Sequence, residues 1–423
     1  MSRFVFATLG SLGDVHPYIA VGRSLIQRGH KTVIATSEEY RSAIERAGVE
    51  FAAVPPSMAE LGDYQAMVSQ VLDARRGPEY LIKRLVMPYL RRAYDELWRV
   101  SEGADLLVSH PLSVTMPLVA QKRGLPWVAT VLAPMSMMSS YDPPVIAAAP
   151  WFRSLRVLGV TPYRLIFGLA KRQAYGWEKP LREFRKELGL PPQRHLALFE
   201  GQFSPLLNLA LFDAQLAASQ PDWPSHTHVC GNPAYDGGTS DPAVLTDLEQ
   251  FLADGEPPIV FALGSSAIWV AGDFWKHAVA AAQRLGRRAI LITGPQMPGS
   301  LPEGVRAYAH LPYSAVFPRA AVVVHSSGIG TLAQAMRSGR PQLLLPVAFD
   351  QPDNSRRAVA LGVGRTLPFR KAKTEKLVGE LEKILGAADY AAKARSLAEE
   401  LGKGDGPANA ARKLEDCVRR AIN

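Results

Sequence analysis

Apolar residues fall along the first part of the chain in short continuous runs, separated by stretches with apolar positions at near-helical spacing. Phe4 to Leu9 is such a run, Gly10 to Gly13 is a tight turn, and Val15 to Gln27 has a helical pattern closed by Gly29. Lys31 to Ala35 reads as a second strand, Ser37 to Ala47 as a helix and Val49 to Val54 as a third strand. Continuous apolar strands alternating with helices predict a parallel sheet covered on both faces. Leu81 to Val100 then reads as one long amphipathic helix, Asp105 to Ser109 as a strand, Val114 to Gly124 as a helix and Trp127 to Leu132 as a strand. From Ala133 to Leu190 the pattern changes: Pro, Met and aromatic residues are frequent and helical spacing comes in patches. Such an excursion either shapes a substrate pocket or packs as a helical embellishment. A strand at Leu196 to Glu200 and a short segment near His228 to Cys230 complete this half.

Turn formers then concentrate in Gly231-Asn-Pro and in Asp236-Gly-Gly-Thr-Ser-Asp-Pro, which marks a boundary. Beyond it the rhythm restarts. Pro258 to Leu263 reads as a strand, Gly264 to Ser266 as a turn and Phe274 to Leu285 as a helix. Strands follow at Arg288 to Thr293, Arg306 to His310, Ala321 to His325 and Gln342 to Pro346. Helices are expected at Ser327 to Arg337, Asn354 to Leu361, Thr374 to Leu385 and Tyr390 to Val418. The expected fold class is therefore α/β, with two tandem Rossmann-like domains facing across a cleft. The first covers residues 1–233, a linker 234–245, the second 246–400, and a terminal helical segment 401–423 crosses back to the first. In such sheets ligands bind beyond the carboxyl ends of the strands.

A length of 423 residues suits two domains, and 47% hydrophobic with 21% charged residues is ordinary globular composition. The net charge of +9 favours anionic ligands, but the basic residues are scattered, which speaks against nucleic-acid binding. Two distant cysteines, Cys230 and Cys417, form neither a disulfide framework nor a metal cluster, and fit a reducing compartment. The N-terminal apolar run is too short for a signal-peptide core, and no stretch approaches the roughly 20 apolar residues of a membrane span. Val145 to Ala170 comes nearest but is broken by Pro150, Arg153, Arg156, Pro162 and Arg164. A cytoplasmic protein is expected, with peripheral contact at the inner membrane surface and homo-oligomerisation both left open.

The chemistry is richest near the end of the Val322-Val-Val-His325 strand, where Ser326-Ser327-Gly328-Ile-Gly330-Thr331 leads into a helix. Free amides at a helix start, with the helix dipole behind them, cradle phosphate. Gly328 and Gly330 permit close approach, while Ser326, Ser327, Thr331 and His325 supply side-chain donors. After the next strand, Asp350 and Gln351 place an acceptor and an amide side by side, a pair suited to sugar hydroxyls. Asp353 and Asn354 read either as site residues or as the cap of the following helix.

His325-Ser-Ser-Gly-Ile-Gly-Thr, Gly339-Arg-Pro-Gln-Leu-Leu-Leu-Pro and Asp350-Gln-Pro-Asp-Asn together closely resemble the donor-binding signature of the UDP-glycosyltransferase superfamily. The opening Gly10-Ser-Leu-Gly-Asp-Val-His-Pro is similar to the bacterial branch containing rhamnolipid rhamnosyltransferases, sterol glucosyltransferases and macrolide or glycopeptide tailoring enzymes. The resemblance implies the glycosyltransferase B fold, and inverting, metal-independent transfer of a hexose or deoxyhexose from a UDP- or dTDP-sugar. No tightly bound cofactor is implied. It assigns His325, Gly330 and Thr331 to the diphosphate, Asp350 and Gln351 to the sugar, and Ser265, with Asn354, to the phosphates. Two positions depart from the pattern. Ser327 stands where a second glycine is commonest, and His310 stands where many relatives carry a base-stacking tryptophan. His310 and Tyr313 are the candidates for contact with the base.

Transfer to a hydroxyl requires a group to take the acceptor proton. By match, Asp14 occupies the position of the catalytic histidine or aspartate of relatives, and His110 the position of its usual aspartate partner. The pair thus stands with its roles exchanged: Asp14 as base and His110 orienting or relaying, with His110 or His16 as the alternative base. The acceptor expected is a small hydrophobic molecule bearing a hydroxyl: a lipid, sterol, polyketide or aromatic aglycone. Pro134-Met-Ser-Met-Met, Trp151, Phe152, Tyr163 and Phe167 suggest its pocket, or else a core. Two other classes remain open: a nucleotide-sugar epimerase or hydrolase, and a noncatalytic nucleotide-sugar-binding accessory protein. An oxidoreductase is disfavoured, because Gly10 to Gly13 lacks the full dinucleotide fingerprint.

Overall fold

In β1 (Arg3–Ala7) the side chains of Phe4, Val5 and Phe6 are buried on both sides of the strand, as a continuous apolar run requires. The computed structural model describes residues 1–237 and 241–422, the last two by backbone alone. Residues 1–235 and 405–423 form one unit and residues 236–404 a second.

The first unit carries a seven-stranded sheet in the order β3-β2-β1-β4-β5-β6-β7. The remaining strands are β2 (Lys31–Thr36), β3 (Glu50–Ala53), β4 (Leu106–Ser109), β5 (Trp127–Val131), β6 (Asn208–Ala210) and β7 (Thr227–Val229). Every pairing is parallel. The order reverses between β1 and β4, the switch point at which the loops leaving two neighbouring strands part to opposite sides. The helix Gly406–Ile422 packs on the first helix, Leu12–Gln27, and is stapled there by Glu415, which binds Arg28 at 2.7 and 2.8 Å and His30 at 2.9 Å.

The second unit carries a six-stranded parallel sheet, order β10-β9-β8-β11-β12-β13. Its strands are β8 (Ile259–Ala262), β9 (Ala289–Ile292), β10 (Val305–Tyr308), β11 (Val322–His325), β12 (Gln342–Leu344) and β13 (Gly364–Thr366). Here the order reverses between β8 and β11. Apolar side chains lie on both faces, Phe261, Leu291 and Val324 on one and Val260, Ile290 and Val323 on the other.

Four sequence expectations need correction. The segment 196–200 is not a strand: the amides of Ala197 and Leu198 donate to the buried carboxylate of Glu178, both at 2.9 Å, instead of to a ladder. The strand of this region is β6, only three residues long and led by polar Asn208, whose amide ties Ser204 and Ser225 together. The helix expected over Leu81 to Val100 breaks into a π turn at Leu81–Val86, a 3-10 turn at Met87–Tyr89 and an α-helix at Leu90–Val100. Pro88 supplies no amide donor to continue it. The final helix is two, Ala388–Leu401 and Gly406–Ile422. Within the expected linker, Gly238, Thr239 and Ser240 lie outside the described residues, and Pro242 already begins the helix Pro242–Ala253, capped by Asp241.

Candidate active site

Parallel pairing of β1 with β4 sets Ala7 beside Ser109, and the amide of His110 donates to Ala7 O at 3.0 Å. The turn after β1 and the residue after β4 are therefore neighbours by register. Ser11 caps the first helix in a capping box, its amide and hydroxyl donating to Asp14 Oδ2 at 2.8 and 3.2 Å. That leaves Asp14 Oδ1, which lies 3.4 Å from His110 Nε2. Leu112 N–H donates to His110 Nδ1 at 3.2 Å, so the neutral ring carries its proton on Nε2, facing the carboxylate. His110 is 6% exposed and Asp14 32%, so the carboxylate is the member of the pair that an incoming molecule can touch. Gly10 makes room for it: at φ +145°, a β-carbon there would sit 2.3 Å from Asp14 Oδ2. Behind the pair, buried Tyr18 shares a 2.5 Å hydrogen bond with Thr130, whose hydroxyl also has Ser109 O within 3.0 Å. His16, the alternative base, packs edge-on against Tyr235 with ring centres 5.2 Å apart.

In the second unit β8 and β11 pair so that Ala262 stands beside His325. Gly264-Ser265 and the Ser326 to Thr331 turn are again neighbours at the switch point. A β-carbon on Gly264 would lie 3.2 Å from Thr331 Oγ1. His325 is fully buried. Its Nδ1 accepts from Ser327 N–H at 3.1 Å and its Nε2 donates to Gln342 Oε1 at 3.0 Å. Burial pulls its pKa down to about 4, while the bond to Gln342 opposes the shift. The imidazole therefore braces the turn in neutral form, and both its nitrogens are used inside the protein.

The hydroxyls expected to bind phosphate are also turned inward. Ser326 donates to Leu263 O at 2.5 Å, Ser327 accepts from Ser355 at 2.8 Å, and Thr331 bonds with Tyr313. Ser327 holds φ +69°, a left-handed conformation that explains why glycine is the common residue at this place in the motif. What the turn leaves to offer is backbone. Gly328 caps the helix Ile329–Arg337, and a β-carbon on it would meet nothing within 4 Å, so the turn borders open space at Gly328.

Asp350 precedes the helix Gln351–Ala360, and Phe349 just before it also lies in the left-handed region at φ 52°. Asn354 is fully buried and ties the two loops, its Nδ2 donating to Ser327 O at 3.0 Å and to Asp350 Oδ2 at 2.6 Å. Gln351 Oε1 accepts from Val347 and Ala348 amides at 2.8 and 3.3 Å. Asp353 is not the cap. It is buried and pairs with Arg357 at 2.6 Å, inside the helix. His310 lies exposed just beyond β10, whereas Tyr313 stacks on Phe317 at 4.3 Å and holds its hydroxyl at Thr331, its pKa pushed up to about 12 by burial. Of the aromatics assigned to an acceptor pocket, Phe152, Tyr163 and Phe167 pack on one another as a small core, and Trp151 is exposed. An apolar recess does lie elsewhere in the first unit, beside Thr8 and Leu9, walled by Leu85, Val86, Tyr89, Leu90 and Leu112.

Sequence reasoning missed Ser11, Gln342 and Ser355. The signal for Gln342 was a polar residue opening an otherwise apolar strand. Among the described residues, no group of three or more His, Cys, Asp and Glu side chains is arranged to hold a metal ion.

Two tandem parallel sheets, each with its polar loops at the switch point, define the architecture of the glycosyltransferase B fold. The glycosyltransferase VinC, solved in complex with dTDP, matches 99% of this chain and 100% of its own with a TM-score of 0.70 at 18% identity. Residues 4–86 match the glycosyltransferase family 28 N-terminal domain, and residues 290–417 the erythromycin biosynthesis protein CIII-like C-terminal domain. O-mycaminosyltylonolide 6-deoxyallosyltransferase of Streptomyces fradiae is 32% identical, over 98% of this chain and 97% of its own length. Sterol 3-beta-glucosyltransferase of Debaryomyces hansenii is 25% identical over 96% of this chain, but this covers only 26% of that longer protein. The chain belongs to the glycosyltransferase superfamily of this fold, with the bacterial natural-product and sterol glycosyltransferases as its relatives, and is an enzyme of that kind.

Proposed function

We propose that the enzyme transfers a hexose or deoxyhexose from a dTDP- or UDP-sugar to a hydroxyl of a hydrophobic acceptor, with inversion and without a metal. The observation that carries this reading is the Asp14 carboxylate, held on one oxygen by Ser11, faced on the other by the His110 N–H, and still open to contact. Asp14 takes the acceptor proton as the acceptor oxygen attacks the anomeric carbon. His110 is a positioning residue: its Nδ1 lone pair is occupied by Leu112, so in this form it is a donor and not a base. The bond from the anomeric carbon to the diphosphate breaks as the new one forms. Charge growing on the leaving diphosphate is met by the amides at the start of Ile329–Arg337 and at Ser265. Gln351, whose carbonyl is held by the backbone, presents its amide to sugar hydroxyls, and Asn354 fixes Asp350 beside it. His325 and Ser327 support this cradle from behind.

The dTDP complex of VinC favours a nucleoside-diphosphate donor. The names of the Streptomyces and yeast relatives, one acting on O-mycaminosyltylonolide and one on a sterol, favour a large apolar acceptor. Incubating purified protein with dTDP- and UDP-sugars and a panel of hydrophobic alcohols, read by mass spectrometry, is expected to give an acceptor heavier by one sugar. Donor turnover to a free epimer, independent of acceptor, would contradict the proposal.

A further inference from the structure

Between Asp142 and Glu178 the chain has five basic residues, Arg153, Arg156, Arg164, Lys171 and Arg172, and no acidic one. The structure folds this segment as a 3-10 stretch, Pro150–Leu158, followed by the helix Thr161–Tyr175. The inner arc of the helix is apolar and satisfied: Tyr163 and Phe167 pack on Phe152, and Ala174 is buried. The outer arc is apolar too. Leu165 and Leu169, one turn apart, are 66% and 65% exposed, and the preceding stretch adds Trp151, Val157 and Leu158 at 61%, 85% and 67%. No other segment of the described chain leaves so many large apolar side chains in water.

The charges on this face sort by partner. Arg153 is bound to Asp142 and Lys171 to Glu200, but Arg156, Arg164 and Arg172 are exposed and, among the described residues, paired with no carboxylate. Arg164, Leu165, Leu169 and Arg172 share one side of the helix by their spacing. Apolar side chains interleaved with unpaired arginines, and a tryptophan at the edge, suit the boundary between lipid tails and anionic headgroups. A second copy of the chain suits it poorly, since a symmetric contact would bring uncompensated arginines together.

We propose that Pro150–Leu158 and the outer face of Thr161–Tyr175 form a docking surface for an anionic lipid bilayer. The helix lies in the interface and does not cross it, and no helix among the described residues is long and apolar enough to span a membrane. The proposal is independent of the donor and acceptor assignments and fails or stands apart from them.

Co-sedimentation of the full chain with phosphatidylcholine vesicles, with and without phosphatidylglycerol, tests it. The protein is expected to pellet with the phosphatidylglycerol vesicles, to stay in solution with phosphatidylcholine alone, and to be released by salt. Arg164→Gln and Arg172→Gln are each expected to weaken partition about five-fold. Leu165→Ser with Leu169→Ser is expected to abolish it while thermal unfolding stays unchanged. The proposal is overturned if wild type ignores phosphatidylglycerol vesicles, or if the leucine pair binds them as wild type does. It is equally overturned if light scattering without vesicles shows a dimer that the leucine changes dissociate.

Discussion

Ser327 and His325 show what the donor turn demands of single residues. Ser327 adopts a left-handed backbone that disfavours any side chain by about 1–2 kcal/mol, yet its hydroxyl is the partner of buried Ser355. Replacement by alanine keeps the strain and orphans Ser355, so Ser327→Ala is expected to cost about 1–3 kcal/mol. Ser327→Gly also loses the bond but removes the strain, and thermal unfolding should place it between wild type and alanine. His325 carries a pH signature. Its folded pKa is depressed to about 4 from an ordinary value of 6.5, so the folded state binds fewer protons between those values. The corresponding stability is full above pH 6.5 and is lost as pH falls towards 4, by up to about 3 kcal/mol. Denaturant titration of wild type should show that decline, and His325→Asn, less stable at pH 7, should lack this part of it.

At the scale of elements, the helix Gly406–Ile422 is fastened to Leu12–Gln27 through Glu415, so the chain's end steadies the helix that opens with Asp14. Arg28 holds the Glu415 carboxyl below the usual glutamate range, against the upward push of burial and with help from His30. A depressed carboxylate contributes stability that is present above its unfolded pKa and lost as pH falls through the folded one. Glu415→Gln is therefore expected to lower Tm at neutral pH by about 2 °C, with the difference vanishing in acid. Strand-helix alternation was legible because buried parallel strands write continuous apolar runs, as β1, β8 and β11 do. Three-residue β6 and β13 were not: β6 opens on polar Asn208 and β13 is Gly364-Arg365-Thr366, so neither writes an apolar run. Asp14 and His110 were expected as a pair through the family resemblance, which matches their places after two strands to its catalytic positions. Their contact needs the register of β1 on β4, which no local pattern contains. The inward turn of Ser326, Ser327, Thr331 and His325 was invisible for the same reason: their partners Leu263, Ser355, Tyr313 and Gln342 come from other elements.

Across the whole molecule, the same device is used twice. Each unit places its chemistry where its own strand order reverses, Asp14 and His110 between β1 and β4, and the Ser265 and Gly328 loops between β8 and β11. In the proposed function one switch point takes a proton and the other holds an anion, which is the division that glycosyl transfer from a nucleoside diphosphate requires. The comparison that tests this most directly is sugar transfer by wild type and by Asp14→Asn, with dTDP affinity measured on both proteins. The account predicts a loss of transfer of about 10²–10⁴-fold with dTDP binding unchanged. Wild-type transfer by Asp14→Asn would contradict it.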